Sequence, residues 1–504
     1  MNKTNYDTLL IGSDPNALIV AAQLSANGQR VLLLERRDQL GAICSENSEI
    51  AGYKAPVISP NLNMLRSEVL DALGLSSDTV RFIESPVTAF LPNRQGKSIT
   101  LWRDLERSVA SIAQHSPADA QAYSNFAVEI ENLRTQLEPH LQRRHNELSL
   151  GALFLNHPEL ARTATLPLFE YLNHWFGNDR LKGALGTLGV TGMLRGPRAQ
   201  GTLLHLLYQT SSAGLFAVRY VAGGLSQLSA QLAQVATQCG AVIRTNSSVE
   251  RVLLEDERAI GVLLKSGEEI FATQIISSLD ARQTLFGLVG APNLEPSVVR
   301  RLRSLKYRGC TAQINLCLSG LPEFIGAEDA QQFSGHIVIA PDLDYVERAY
   351  DAAKYGDFSP QPVLDILIPT LLDPTLAPPG KHLMTVTMHY ASYALRGKHW
   401  NDLRESLGDT VIKTLRHYAP EIDRYIDDRR IITPLDYEEQ YDLTEGSLTQ
   451  SEMSVEQMFA LRPIPGWSDS CTPIENLWLC GAATHPGGVV TGLPGWLTAQ
   501  EMTR

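Results

Sequence analysis

Near the start of the chain lies Gly12-Ser13-Asp14-Pro15-Asn16-Ala17, followed eighteen residues after Ala17 by Glu35. Residues of these types at this spacing bind the pyrophosphate and ribose of a dinucleotide. A first glycine permits a tight turn, a second lets backbone approach phosphate, a third small residue packs helix on strand, and the acid takes a ribose hydroxyl pair. Gly12, Ala17 and Glu35 fit, and the amides of Asn16 and Ala17 open the helix. Asp14 stands where the second glycine belongs and adds both a Cβ and a negative charge. Asp-Pro is also a strong helix start, with Asp as N-cap and Pro at the first helical position. An Asp14 carboxylate folded onto the amides of Asn16 or Ala17 fills the anion site, whereas one turned outward leaves the phosphate path open. By proximity in sequence, Arg36 and Arg37 are the candidate compensating cations.

A second constellation closes the chain. Phe459–Trp467 reads Phe-Ala-Leu-Arg-Pro-Ile-Pro-Gly-Trp, and Leu477–Gly495 reads Leu-Trp-Leu-Cys-Gly-Ala-Ala-Thr-His-Pro-Gly-Gly-Val-Val-Thr-Gly-Leu-Pro-Gly. A helix start behind such a loop stabilises negative charge on a ligand. An unperturbed imidazole titrates near neutrality, which makes His485 a candidate acid–base residue, yet a turn histidine bonded within Thr484–Gly488 is the reading we adopt. No catalytic side chain is assigned.

The elements that hold these residues follow from periodicity. Asp7–Ile11 is a short apolar run, read as a buried parallel strand. Ala17–Asn27 has helical spacing ended by Gly28, and Val31–Leu34 is a second buried strand closed by Glu35. Together they form one βαβ unit. Leu101–Leu148 is polar and helical. Tyr220–Val249 reads as a Gly223-Gly224 turn, a helix and a strand at Ala241–Thr245. Val249–Leu254, Ala259–Lys265 and Glu268–Ile276 alternate as antiparallel strands. Gln313–Leu318 and His382–His389 are further strands, Asn401–Tyr418 an amphipathic helix, and Asn476–Cys480 a last buried strand before the glycine-rich loop.

A chain of 504 residues, 44% hydrophobic and 19% charged, is globular and long enough for two interleaved domains. A net charge of −12 argues against nucleic acid as a partner and against a broad anionic-lipid footprint. The N-terminus carries no apolar secretory run, and the six cysteines form no C-x-x-C pair, which points to reduced thiols in a cytoplasmic protein and to no metal site. The charge-poor stretches Gly183–Leu194 and Ala199–Val218 read as buried helix; the functional alternative is the wall of an apolar channel or a membrane dip.

On these residues the chain resembles the phytoene-desaturase-like flavoproteins, which include bacterial phytoene desaturases, β-carotene ketolases and the pyridine nucleotide-disulfide oxidoreductase domain-containing protein 2 family. The Cys480-Gly481…Thr484-His485-Pro486-Gly487-Gly488 segment carries the resemblance most specifically. Tyr220–Gln227, Gly240–Val249 and the Ser277-Ser278-Leu279-Asp280 turn extend it over most of the chain. Departures cluster at the N-terminal phosphate grip, where Asp14 stands, where Gly41-Ala42 replaces a glycine pair, and at Trp496. The resemblance implies FAD, contacted by Gly12, Asn16, Ala17, Glu35, Arg36 and Gly41, by Val249 through its backbone at the adenine, and by Gly481, Gly487, Gly488 and Val489.

The implied fold is α/β: an FAD/NAD(P)-binding Rossmann-like domain with an interleaved α+β substrate domain. The expected division gives FAD-binding parts at 1–100, 219–300 and 441–504 and substrate parts at 101–218 and 301–440. The implied activity is FAD-dependent dehydrogenation or desaturation of a long apolar or isoprenoid-like substrate by hydride transfer, with quinone or dioxygen as acceptor and room for peripheral membrane contact. The alternative is a flavin-free relative that serves as a binding or complex-forming subunit with a protein partner. Amine oxidation on the same fold has no distinguishing motif here.

Overall fold

The computed structural model describes residues 6–47, 50, 52–75, 79–142, 155–467 and 469–503. Strand β1 (Tyr6–Ile11), helix α1 (Pro15–Ala26) and strand β2 (Val31–Leu34) form the opening unit. β1 lies parallel to β2 on one side and to the strand Glu269–Ser277 on the other. β2 in turn pairs in parallel with Val242–Arg244, and Leu477–Leu479 joins Glu269–Ser277. Val249–Glu255 and Arg258–Leu264 complete this sheet as an antiparallel meander. The first and last strands of the chain therefore share one sheet.

Both faces of β1 and β2 are covered, which explains their unbroken apolar runs. Leu10 and Leu33 pack against α1 and the helix Leu225–Gln238, while Leu9, Ile11, Leu32 and Leu34 pack on the opposite face. Leu9, Leu10, Leu32 and Leu33 are fully buried, each contributing about 1.5–3 kcal/mol.

A second sheet runs Ile426–Ile432, Thr311–Leu318, His382–Ala391, Phe358–Leu367, His336–Ile339, Val87–Leu91 and Ile99–Trp102. Its pairs are antiparallel except His336–Ile339 with Val87–Leu91. One face, with Ile314, Leu316, Ile366, Val386 and Met388, packs on the helix Trp400–Arg416 through Leu407, Val411 and Leu415. The alternate residues of the same strands, Thr311, Gln313, Asn315, Asp365, Thr387 and His389, point the other way, because side chains alternate along a strand.

The expected elements match within one to three residues at most ends. Leu101–Leu148 differs. Leu101 and Trp102 finish a strand, helices follow at Leu105–Ala113 and Pro117–Gln142, and residues 143–148 lie outside the described residues. Asp104 caps the first of these helices on the amides of Glu106 and Arg107, so the helix begins after the strand. The two charge-poor stretches carry the buried helices Asp179–Leu188 and Thr202–Gln209. Among the described residues no helix is long and apolar enough to cross a membrane.

Candidate active site

A groove of about 490 Å³ opens at the carboxyl ends of β1 and β2. Gly12, Ser13 and Asp14 line its middle, Glu35, Arg36 and Val249 one wall, and Ala482 and Val489 of the C-terminal loop another. The turn requires glycine at position 12: φ is +94°, and a Cβ there would lie 2.3 Å from Ser278 Oγ. Ser278 is held by its amide, which donates to the Ile11 carbonyl at 2.9 Å. Glu35 is buried and already engaged. Ser13 Oγ donates to Oε2 at 2.5 Å, and the amide and Nε of Arg37 donate to Oε1 at 3.0 and 3.1 Å. The Gly41 amide donates to Ser13 Oγ at 3.2 Å, tying the loop after β2 to the turn.

Asp14 is the N-cap of α1. Its Oδ1 accepts from the Ala17 amide at 2.9 Å, and Asn16 Nδ2 donates to Oδ2 at 3.4 Å. Burial, with a further contribution from the Glu35 charge, pushes its carboxyl up to about 6, while the Ala17 amide pulls the other way. Neither candidate cation reaches Asp14. Arg36 Nε pairs with Asp442 at 2.6 Å, and Arg37 pairs with Glu35.

The C-terminal loop is built from close backbone approaches. A Cβ at Gly481 would lie 2.2 Å from the Ser278 carbonyl, and one at Gly488 2.4 Å from the Tyr208 hydroxyl. Gln450 ties the C-terminal loop to the turn after the strand Glu269–Ser277, donating to the Ser278 carbonyl at 2.8 Å and accepting from the Ala483 amide at 3.0 Å. Arg462 is fully buried and reads carbonyls only. Nε and Nη2 donate to Ala482 at 3.0 and 2.7 Å, Nη1 to Gln457 at 3.1 Å, and Nη2 to Thr449 as well. His485 is buried against Phe459 and lines neither cavity.

A second cavity of about 160 Å³ shares Leu448 and Val489 with the groove as lining residues. Its walls are Met64, Leu188 and Phe216, together with the polar face of the second sheet. Of the expected site residues, Gly12, Glu35, Arg36, Val249 and Val489 line the groove, and Gly488 lines the second cavity. Asn16 turns its Oδ1 to the Gly495 amide at 3.3 Å and so joins the first helix to the last one. Ala17 presents its amide to Asp14, and Gly481 and Gly487 shape the loop behind the groove. Sequence reasoning passed over the polar face. Its signal was the alternation Thr311-Ala-Gln313-Ile-Asn315-Leu, with polar residues at every second place of a strand whose eight residues are all buried.

The groove fits an extended dinucleotide in the Gly12 turn, in the acid at the end of β2 and in its run to the C-terminal loop. The amide of Ala17, which a phosphate would take, is held by Asp14.

The model of the family described as flavin containing amine oxidoreductase matches residues 18–502. Over 100% of this chain and 94% of its own length, mouse (Mus musculus) pyridine nucleotide-disulfide oxidoreductase domain-containing protein 2 is 30% identical. One of the subunits of limonene dehydrogenase from Castellaniella defragrans is 26% identical over 99% of this chain and 94% of its own. The lycopene-forming phytoene desaturase of Pseudescherichia vulneris is 26% identical over 98% of each. Among solved structures, an oxidoreductase from Methanosarcina mazei covers 99% of both chains with a TM-score of 0.62 at 16% identity, a likeness of fold. With its α/β Rossmann-like architecture and a family match over nearly its whole length, the chain belongs to the flavin-containing amine oxidoreductases, and is an FAD-dependent oxidoreductase of the phytoene-desaturase-like branch.

Proposed function

We propose that the protein dehydrogenates a long apolar or isoprenoid-like substrate bound in the second cavity, with FAD held in the groove. The observation that carries this reading is the adjacency of the two cavities, which share Leu448 and Val489 as lining residues beside the C-terminal loop. Bound FAD supplies a two-electron acceptor for hydride. The chain's own part is binding and orientation. Glu35 and the Gly12 turn receive the nucleotide half, Gln450 and Arg462 hold the Ala482–Ala483 backbone at the groove, and Met64, Leu188 and Phe216 give the second cavity an apolar wall. The names of two relatives, a limonene dehydrogenase and a phytoene desaturase, support a hydrocarbon-rich substrate. The same reading takes quinone or dioxygen as acceptor and a cytoplasmic location with peripheral membrane contact.

One experiment tests this reading. The purified protein is examined by visible spectroscopy, its chromophore is released and identified, and anaerobic bleaching by isoprenoid hydrocarbons is followed. Stoichiometric FAD bleached by such a compound supports it. A protein that stays colourless after titration with FAD overturns it.

A further inference from the structure

The second cavity is apolar on one side and carries a single charge on the other. Among its described lining residues, Asp365 alone is an acid, and none is Lys or Arg. Burial disfavours the charged forms of His389, Cys310, Tyr208 and Tyr437 there. Burial pushes His389 down to about 4 and the Cys310 thiol up, and it pushes the Tyr208 hydroxyl up to about 12.

The hydrogen bonds around Asp365 determine which of its oxygens is free. His336 Nδ1 lies 2.6 Å from Asp365 Oδ1, and His336 Nε2 lies 3.0 Å from Asn61 Nδ2. Asn61 cannot be turned around. Its Oδ1 accepts from the Asn63 and Arg219 amides at 3.2 and 2.9 Å, and its Nδ2 also donates to the Ala217 carbonyl at 2.8 Å. The second Nδ2 hydrogen therefore points at His336 Nε2, which must be the acceptor. The proton of the neutral ring then sits on Nδ1 and is donated to Asp365 Oδ1. Asn61 and His336 are positioning residues. They aim the carboxylate and consume one oxygen, and among the described residues nothing donates to the other. The Asp365 side chain is 27% exposed and lines the cavity. A pure hydrocarbon packed against it would strip water from a carboxylate and return no hydrogen bond.

We propose that Asp365 is the specificity-determining anchor of the substrate cavity, where its free oxygen accepts a hydrogen bond from a single O–H or N–H group on an otherwise apolar substrate. This inference rests on the reading that the cavity takes substrate, and deepens it from a hydrocarbon to a hydrocarbon bearing one donor. An alcohol and an amine share this chemistry, and the test separates them.

The same geometry determines what a substitution does. In Asp365→Asn, His336 Nδ1–H still needs an acceptor, so the amide oxygen stays on His336 and the NH2 group faces the cavity. The site then offers a donor where it offered an acceptor. Calorimetric titration of the purified protein and of D365N with four matched ten-carbon probes reads this out: 2,6-dimethylocta-2,6-diene, geraniol, geranylamine and geranial. The wild-type protein is expected to bind geraniol, geranylamine or both on the order of a hundredfold more tightly than the diene and the aldehyde, and the tighter of the two names the donor. D365N is expected to lose that preference and bind geranial more tightly than wild type does. Equal binding of diene, alcohol and amine by the wild-type protein overturns the anchor and leaves the apolar-substrate reading standing. Binding of none of the four overturns both. The wild-type comparison needs no variant, so a misfolded D365N does not shield the proposal.

Discussion

Replacing Asp14 with asparagine keeps the helix cap and deletes the charge. Asn caps as well as Asp, and its oxygen can still accept from the Ala17 amide. A phosphate at the same helix start would sit beside the Asp14 carboxylate, and two like charges about 4 Å apart at an effective dielectric near 20 repel by roughly 4 kcal/mol. Protonation offers a cheaper route. With the carboxyl pushed up to about 6, taking up a proton at pH 8 costs about 1.4 kcal/mol for each of roughly two pH units, or near 2.7 kcal/mol. The smaller cost governs, so D14N should bind FAD about a hundredfold more tightly than wild type at pH 8 and about equally at pH 5. Quenching of flavin fluorescence on titration of the apoprotein measures both constants. The apoprotein's stability carries the same sign. A carboxyl raised in the folded state favours folding while protonated, and that advantage is lost as pH rises from the ordinary carboxylate range through about 6. D14N should therefore raise the melting temperature at pH 8 and leave it unchanged near pH 4. A wild-type affinity for FAD that is flat between pH 5 and 8, or a D14N affinity within twofold of wild type at pH 8, would refute the reasoning.

Other substitutions test the walls of the site. Arg462→Met strands the carbonyls of Ala482, Gln457 and Thr449 in a dry interior and should cost about 3–5 kcal/mol by denaturant unfolding; a loss under 1 kcal/mol would mean water replaces the guanidinium. Gly12→Ala places a methyl 2.3 Å from Ser278 Oγ at a φ of +94° and should weaken FAD binding more than tenfold, and an unchanged affinity would show that the turn relaxes freely. Glu452 is fully buried between Arg195 and Arg308, whose side chains are 22% and 36% exposed, so Glu452→Gln should cost about 1–2 kcal/mol, less than a fully desolvated pair, and its effect on thermal melting should shrink in high salt.

Much of this protein was legible in its residues because the signals were local. An apolar run, a glycine turn, an Asp-Pro helix start and an acid at the end of the second run lie within thirty residues of each other, so the opening βαβ unit could be read from spacing alone. The closing strand and loop were legible for the same reason, and Asp14 was expected at the anion site as one of two options. What tertiary structure decided was every relation between distant segments. It seated Asp14 on the Ala17 amide and took Arg36 away to Asp442, so a cation suggested by proximity in sequence pairs elsewhere in space. It joined the chain's two ends through one sheet and through Asn16 and Gly495. It also decided what the polar face of the second sheet looks at. The alternation Thr311, Gln313, Asn315 announces a strand with one polar side, but a polar side faces water, a partner or a cavity with equal local cost. Only packing of the helices Asp179–Leu188 and Thr202–Gln209 over that side turned Asp365 inward, toward a cavity, because long-range register is set by the burial of whole elements and not by any residue's neighbours in sequence.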